Sequence, residues 1–361
     1  MAKRVSIRDV AKEAGVSPAT VSYILNDNQN VTISDETKER VLDAVERLKY
    51  VPSQAAKTLG SSRVKGKSQS KMIGIIIPQT EDSQKEAYIM FSNPFYGTFL
   101  SAVEYETRKA GYHVLVSGTN VGQSYIEIVK SRTLDGVIVV GTYPTDDVDE
   151  YKQLGIPTVL VDCYGSTDYF FHSVRTDDRR GGYEATRYLL DKGHRGIAIV
   201  TGELKENGVN YMRYLGYQDA LREAGIPFDR DFVFDGYVGF QYGVEAAETL
   251  AERNRRDNQE ITAVFATSDI AAIGVIKGLG ESGVSVPNDM SVIGFDDIDF
   301  AGMYFPGLTT IRQNIMEKGK EAAQIMIAAV DNQNLTKCDQ IIPMELVERG
   351  TVREIKSGNQ V

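Results

Sequence analysis

Between residues 6 and 50, apolar side chains recur at three- and four-residue intervals: Val10, Ala11 and Ala14, then Val21, Ile24 and Leu25, then Val41, Leu42, Val45 and Leu48. This spacing predicts three short amphipathic helices that turn one stripe each toward a small shared core. Start and stop residues agree with it. Ser6 is placed to cap the first helix, with Asp9 three residues on as a capping-box variant, and Gly15 ends it. Ser17 is placed to cap the second, with Pro18 at the first helical position, where a missing N–H costs nothing. Ser34 is placed to cap the third, whose first turn carries Asp35 and Glu36 at the end the helix dipole favours for acid. Tyr50–Leu59 has the makings of one or two further helical turns, and Gly60–Lys71 is small, polar and basic, the composition of a linker.

From Met72 the pattern changes. Ile73–Ile77, Val114–Ser117, Val137–Val140, Val159–Val161, Ile197–Val200, Ala263–Ala266 and Val292–Phe295 are continuous apolar runs rich in β-branched residues, separated by stretches of helical period. Runs without alternation fit strands covered on both faces, hence parallel sheets. The 290 residues from 72 to 361 exceed what one sheet holds, so two doubly wound lobes with a ligand cleft between them are expected. The expected domains are a helical headpiece with hinge helix over 1–60, a linker over 61–71 and a two-lobed α/β domain for ligand sensing and dimerisation over 72–361.

Charge sharpens this division. The chain of 361 residues carries a net charge of −10, but residues 1–71 hold 13 Lys and Arg against 8 Asp and Glu, whereas the remainder holds 27 against 42. A basic N-terminal piece suits a phosphate backbone, and an acidic body stays soluble and repels non-specific contact. No stretch approaches the roughly 18 consecutive apolar residues of a membrane span, and the polar N-terminus lacks a signal-peptide run, so a cytoplasmic protein without membrane contact is expected. Cys163 and Cys338 have neither metal-ligand spacing nor the density of a disulfide scaffold, so no metal and no cofactor are expected.

Residues 6–26 have the outline of a helix-turn-helix, with the turn at Gly15-Val16 and Pro18, Ala19, Ser22, Tyr23 and Asn26 on the outer face of the second helix. Short hydroxyls suit phosphates, whereas Ala19 and Tyr23 suit base edges or thymine methyl groups in the major groove. Enzymatic readings find little support. His113, His172 and His194 fall in unrelated strand-end or turn contexts, and no nucleophile or metal-hydrolase pattern stands out. Gly278-Leu-Gly-Glu-Ser-Gly283 matches a dinucleotide fingerprint literally but follows a helical stretch instead of a strand, so it fails its own context test.

The segment Val5–Asn26 resembles the headpiece of the lactose-repressor (LacI/GalR-type) family of bacterial transcription regulators. The likeness continues through Tyr50-Val-Pro-Ser53, Asn93-Pro-Phe-Tyr96, Asp135-Gly-Val-Ile138, Gly193-His-Arg195, Gly216-Tyr217, Val286-Pro-Asn-Asp289, Val292–Asp297, Leu308-Thr-Thr310 and Glu345-Leu-Val347. The resemblance implies a homodimer whose paired headpieces read a pseudo-palindromic double-stranded operator and whose hinge helices enter the central minor groove. It puts Pro18, Ala19 and Tyr23 at base-reading positions and Ser17, Thr20, Ser22 and Asn26 at phosphate-contacting ones. Leu59 takes the place of the wedge between bases. It also implies lobes like those of periplasmic sugar-binding proteins, with a small-molecule effector, a sugar or sugar derivative, held by Phe95, Tyr96, Asp162, Arg213, Ser268, Asp296 and Gln313. Aromatic faces suit pyranose rings, and Arg with Asp suits paired hydroxyls.

Three features depart from the family pattern. The loop Gln79–Ser92 is longer and the segment Asn120–Leu134 shorter, which predicts a truncated helix there. Arg175 stands where relatives often carry an apolar or aromatic residue, and a guanidinium at the cleft edge would favour a phosphorylated or acidic ligand, although a surface arginine accounts for it as well. The function expected is a ligand-responsive repressor of a carbohydrate utilisation operon. The alternative is a corepressor-dependent purine-type regulator or a global catabolite regulator that uses a phosphoprotein partner. A free sugar-binding protein or an enzyme would lack residues 1–60.

Overall fold

The computed structural model describes residues 5–25, 31–50, 70–78, 93–119, 129, 133–141, 155–164, 171–206, 208–237, 239–256, 261–303, 305–332 and 335–355. The chain divides into two compact units, Met1–Lys71 and Met72–Val361. Asn26, Leu59, residues 51–69 of the hinge and linker, the loop Gln79–Ser92 and most of Asn120–Leu134 lie outside the described residues.

The first unit contains α1 (Ile7–Ala14), α2 (Pro18–Leu25) and α3 (Asp35–Arg47). Its termini use the expected chemistry. Asp9 accepts the Ser6 amide at 2.8 Å, closing the capping box, and Gly15 ends α1 at φ 67°, where a Cβ would be strained. The Thr20 amide donates to Ser17 Oγ at 3.1 Å, and the Thr37 amide to Ser34 Oγ at 3.4 Å. Val10, Ala11, Ala14, Val21, Val41, Ala44 and Tyr50 form the core. One expectation fails: Leu42, predicted for the stripe of α3, is 53% exposed, and Ala44 takes the buried position. In a unit this small, helices packed closely leave room for an alanine methyl where the periodicity alone would accept either face.

The second unit holds two six-stranded sheets. The first is built from β1 (Met72–Pro78), β2 (His113–Thr119), β3 (Gly136–Val140), β4 (Thr158–Val161), β5 (His172–Arg175) and β11 (Asp339–Ile341), in the order β11-β5-β4-β3-β1-β2. The second uses β6 (Ile197–Gly202), β7 (Val233–Gly236), β8 (Ala263–Ala266), β9 (Ser291–Asp296), β10 (Thr309–Arg312) and β12 (Glu345–Val347), in the order β12-β10-β9-β8-β6-β7. The pairs are parallel except β10 with β12, which is antiparallel. All seven apolar runs read from the sequence are strands, and β3, β6, β8 and β9 are buried throughout, as parallel strands under helices must be.

Helices cover these sheets. In the first lobe α4 (Pro94–Lys109) packs against α10 (Ile315–Asp331), which also touches β3, β4 and β5. In the second lobe α5 (Asp178–Asp191) packs on α6 (Val209–Glu223), and α7 (Phe240–Arg256) on α8 (Asp269–Glu281). A short α9 (Asp299–Met303) follows β9. The chain therefore passes between lobes three times: from β5 to α5, from β10 to α10 and from β11 to β12. The α5–α6 contact needs two glycines. A Cβ on Gly182 would lie 2.1 Å from the Arg213 carbonyl oxygen, and one on Gly216 would lie 2.0 Å from that of Arg179. Their absence of side chain brings the start of α5 within reach of Arg213.

His194, in the turn after α5, is fully buried between the Thr262 hydroxyl at 2.9 Å and the Arg353 carbonyl at 3.2 Å. Burial holds its imidazole down at about 4, against an ordinary value near 6.5. Because the folded value is depressed, the neutral ring stabilises the fold above pH 6.5, and this contribution fades as pH falls from about 6.5 toward 4. Acidification across that window is expected to cost on the order of 2 kcal/mol through this residue. The comparison is the melting temperature of wild type and His194→Gln between pH 7 and 4.5. The wild type should fall more steeply, and equal slopes would remove His194 as the cause.

Candidate functional site

In the first unit, Ser17, Pro18, Ala19 and Tyr23 are exposed, with Thr20 and Ser22 half-buried beside them. Val21 is fully buried and anchors the opposite side of α2. Ala19 and Tyr23, four residues apart, lie on the side of α2 away from Val21, whereas Ser17, Pro18 and Thr20 sit around its first turn. Ser17 Oγ also lies 2.9 Å from Thr20 Oγ1, so these two hydroxyls are oriented toward each other at the start of α2. Arg47 pairs with Glu13 at 3.1 Å, across α3 and α1.

In the second unit, strand ends and crossovers bring charged side chains together between the lobes. Asp162 follows β4, Thr176 follows β5, Thr267 and Ser268 follow β8, and Asp296 ends β9. These are carboxyl ends of parallel strands, where doubly wound sheets place their ligands. The backbone there is unusual. Asp162 has φ 56°, Asp296 121°, Asp297 55° and Asn314 25°, all in the left-handed region that non-glycine residues occupy at a cost.

Arg213, nearly fully buried on α6, donates from Nε to Asp178 at 2.7 Å and from an Nη to the Thr267 carbonyl at 2.5 Å. The same Nη lies 3.6 Å from Asp296, and the guanidinium sits 3.7 Å from the Phe295 ring centroid. Lys318, fully buried on α10, donates to both oxygens of Asp162 at 2.7 and 2.9 Å and to Gln313 Oε1, with Thr176 Oγ1 at 3.4 Å. Gln313 completes the chain by donating to Asp296 at 2.5 Å. One continuous network therefore runs from Asp162 and Lys318 in the first lobe, through Gln313 on a crossover, to Asp296, Arg213 and Asp178 in the second.

The network holds two cations and three carboxylates, and its electrostatics show it. Burial raises the Asp162 carboxyl above its usual range, opposed by Lys318. Asp296 is pushed up to about 6 by burial, opposed chiefly by Arg213. Phe95 lies edge-on to Tyr96 at 5.3 Å, placed by Asn93, which caps α4 by accepting the Phe95 amide at 3.0 Å. Burial, reinforced by Asp162 and Asp296, pushes the Tyr96 phenol up to about 12. Among the described residues, no group of three or more His, Cys, Asp or Glu is placed to hold a metal ion.

Two expected residues stand apart. Ser268 turns its hydroxyl to its own helix and caps α8 by accepting the Ala271 amide at 3.4 Å. Arg175 pairs through an Nη with Asp339 on the neighbouring strand at 3.5 Å and covers the Tyr164 ring at 5.5 Å, while its Nε is buried without a hydrogen-bond partner. Sequence reasoning missed Lys318, Asp178, Thr176 and Tyr164. The Tyr164 hydroxyl accepts the Asp178 amide at 3.1 Å and lies 2.5 Å from the Thr176 carbonyl oxygen. A signal for Lys318 existed: it falls on the stripe of Ile315, Ala322, Ile325, Met326 and Ala329, where a charge violates the pattern.

Comparison with known proteins decides the family. Residues 6–53 match the model for bacterial regulatory proteins of the lacI family, and residues 186–352 match a periplasmic binding protein-like domain. The HTH-type transcriptional repressor PurR of Actinobacillus pleuropneumoniae is 31% identical over 97% of this chain and 99% of its own. The chain belongs to the lacI family. Catabolite control protein A of Priestia megaterium is 32% identical over 92% of this chain and 94% of its own. A lacI-family regulator from Enterococcus faecium, solved with bound ribose, superposes with a TM-score of 0.68 at 28% identity, covering 79% of this chain and all of that one. This lacI-family protein is a DNA-binding transcription regulator with a helix-turn-helix unit and a two-lobed α/β unit. No helix among the described residues is long and apolar enough to cross a membrane.

Proposed function

We propose that this lacI-family regulator represses transcription by reading an operator through α2 and releasing or tightening that hold when a sugar or sugar derivative enters the cleft, without catalysing a reaction. The buried network of Arg213, Asp296, Gln313, Asp162 and Lys318 carries the effector reading, because it alternates donors and acceptors as a polyol requires and lies where two lobes can close on a ligand. Phe95 and Tyr96 supply aromatic faces beside it. The direct test is a thermal-shift screen of mono- and oligosaccharides with purines as the comparison arm. A sugar that stabilises the wild type but not Asp296→Ala supports the reading, and stabilisation by a purine alone rejects it.

Pro18, Ala19 and Tyr23 are assigned to base edges, Ser17, Thr20, Ser22 and Asn26 to phosphates, and Leu59 to a central base step. Selection of bound duplexes from a random library is expected to return a pseudo-palindrome. Tyr23→Ala should then lose preference at a few base pairs, roughly 1–3 kcal/mol at each, and keep the salt dependence of the wild type. An unchanged preference at every position would take base reading away from Tyr23.

A homodimer fits an operator of that symmetry. Phe300, Met303 and Phe305 are more than half exposed on and after α9, an apolar patch suited to a second copy of this chain. Phe305→Glu with Met303→Glu is expected to yield monomers in analytical ultracentrifugation at micromolar protein, where wild type sediments as a dimer. Dimers of the double variant would place the interface elsewhere.

A further inference from the structure

We infer that Arg349 is a clasp that couples Asp296, in the cleft, to the apolar face offered to a second copy of this chain, so that a change at that carboxylate alters self-association. The inference rests on the reading that Phe300, Met303 and Phe305 meet a second copy.

The segment from Asp297 to Leu308 leaves the second sheet at the end of β9 and returns at the start of β10. Its described residues face two ways. Ile298, Ala301 and Leu308 are buried, whereas Phe300, Met303 and Phe305 are 55%, 74% and 93% exposed. Inside it the Ala301 amide donates to the Ile298 carbonyl at 2.9 Å and the Leu308 amide to the Ala301 carbonyl at 2.8 Å. Arg349, which follows β12, joins its two ends: one Nη donates to Asp297 at 2.6 Å and the other to the Leu308 carbonyl at 2.7 Å. The Arg349 amide also donates to the Thr309 hydroxyl at 2.9 Å, and the Gly350 amide to the Gly307 carbonyl at 2.8 Å. The fit is close, since a Cβ on Gly307 would lie 2.8 Å from Arg349 Cδ. A planar guanidinium holds two acceptors in fixed relation, which a point charge does not. Asp297, 7% exposed, accepts from Arg312 Nε at 2.6 Å as well, but Arg312 turns an Nη to Glu345 on β12.

The cleft adjoins this clasp directly. Asp296 and Asp297 are consecutive, and both hold a positive φ, 121° and 55°, at a cost that their partners must offset. Asp296 is bonded by Gln313 and lies 3.6 Å from Arg213, and the Ile298 amide donates to Asp269 at 2.9 Å. When the cleft tether of Asp296 is lost or exchanged, its backbone is free to relax, and the peptide it shares with Asp297 turns with it. Asp297 is fastened through Arg349 to Leu308, so the turn reaches both ends of the segment and with them the apolar face. Whatever reorients that face changes the affinity of the contact, and the contact acts back on the cleft by the same factor.

The experiment measures self-association of the full-length protein, labelled at its N-terminal amine, by fluorescence-detected sedimentation over a dilution series. It needs no ligand, because Asp296→Ala supplies the change at the cleft. Arg349→Met, which leaves Phe300, Met303 and Phe305 in place, should weaken the dimer at least about tenfold. Arg312→Met, which also takes a bond from Asp297 but leaves the two ends joined, should weaken it less than about threefold. Asp296→Ala should shift the dimer constant at least about fivefold in wild type and less than about twofold in the Arg349→Met background. An arginine with only a structural role would not produce that difference, since independent losses add. The inference is overturned if Asp296→Ala has the same effect in both backgrounds, none included, or if Arg312→Met weakens the dimer as much as Arg349→Met. Phe305→Glu with Met303→Glu, run in the same series, separates the two readings. If that variant dimerises as wild type does, the face lies elsewhere and the coupling falls with it. If it is monomeric and the other effects still add, the face stands and the coupling alone is overturned. Should Arg349→Met not fold, Arg349→Lys takes its place: the ammonium keeps a charge beside Asp297 without the planar fork, and the same comparisons decide.

Discussion

Arg213→Ala is expected to remove effector binding by roughly 2–4 kcal/mol, the range for losing charge-assisted bonds in a desolvated site. The same change should lower the stability of the two-lobed unit by roughly 3–5 kcal/mol, because Asp178, fully buried, loses its cation. The Thr267 carbonyl also loses the donor that now satisfies it. Two readouts separate these effects: calorimetry with a sugar found by the screen, and urea denaturation monitored by a probe in the second unit. Arg213→Lys keeps the charge but not the planar fork, and should fall between wild type and Arg213→Ala in both. Effector affinity unchanged in Arg213→Ala would move the ligand site out of this cleft.

Lys318→Met is expected to be of similar size and to be repaired in a specific way. Removing the lysine strands Asp162, nearly buried and bonded to Lys318 through both oxygens, and roughly 3–5 kcal/mol of stability should be lost. Adding Asp162→Asn removes the stranded charge, so the double variant should recover most of the loss. A coupling energy of at least about 2 kcal/mol in this double-mutant cycle is expected. Additive losses would mean that the two residues do not depend on one another, and the central bond of the network would have to be given up.

The helices of the first unit were legible because each carried a cap and a stripe, and the first also a stop at Gly15. The first-lobe and second-lobe sheets were legible because their central strands are unbroken apolar runs. What escaped were the short elements. β5, β7, β10, β11 and β12 have three or four residues each, and β11 is exposed along its length, so no apolar run marks it. Leu42 misled because periodicity places a residue on a helix without saying how wide the buried face is. The site divides in the same way. Asp162, Arg213, Asp296 and Gln313 came from the family resemblance and meet in one network. Lys318 was overlooked because lysines on helices are ordinarily solvated, and Asp178 because an acid in a first helical turn has a sufficient local explanation. Both are understood only once partners distant in sequence are seen side by side, Arg213 with Asp178 at 35 residues and Lys318 with Asp162 at 156.

For ligand-controlled repression, a ligand in the buried network of the second unit must change how the first unit holds DNA. The most direct measurement is fluorescence anisotropy of a labelled operator, obtained by selection, titrated with full-length protein at fixed salt with and without saturating sugar. Wild type is expected to change operator affinity at least about tenfold on adding the sugar, whereas Asp296→Ala should bind the operator as wild type does and ignore the sugar. Equal operator affinity with and without bound sugar in wild type would contradict the account.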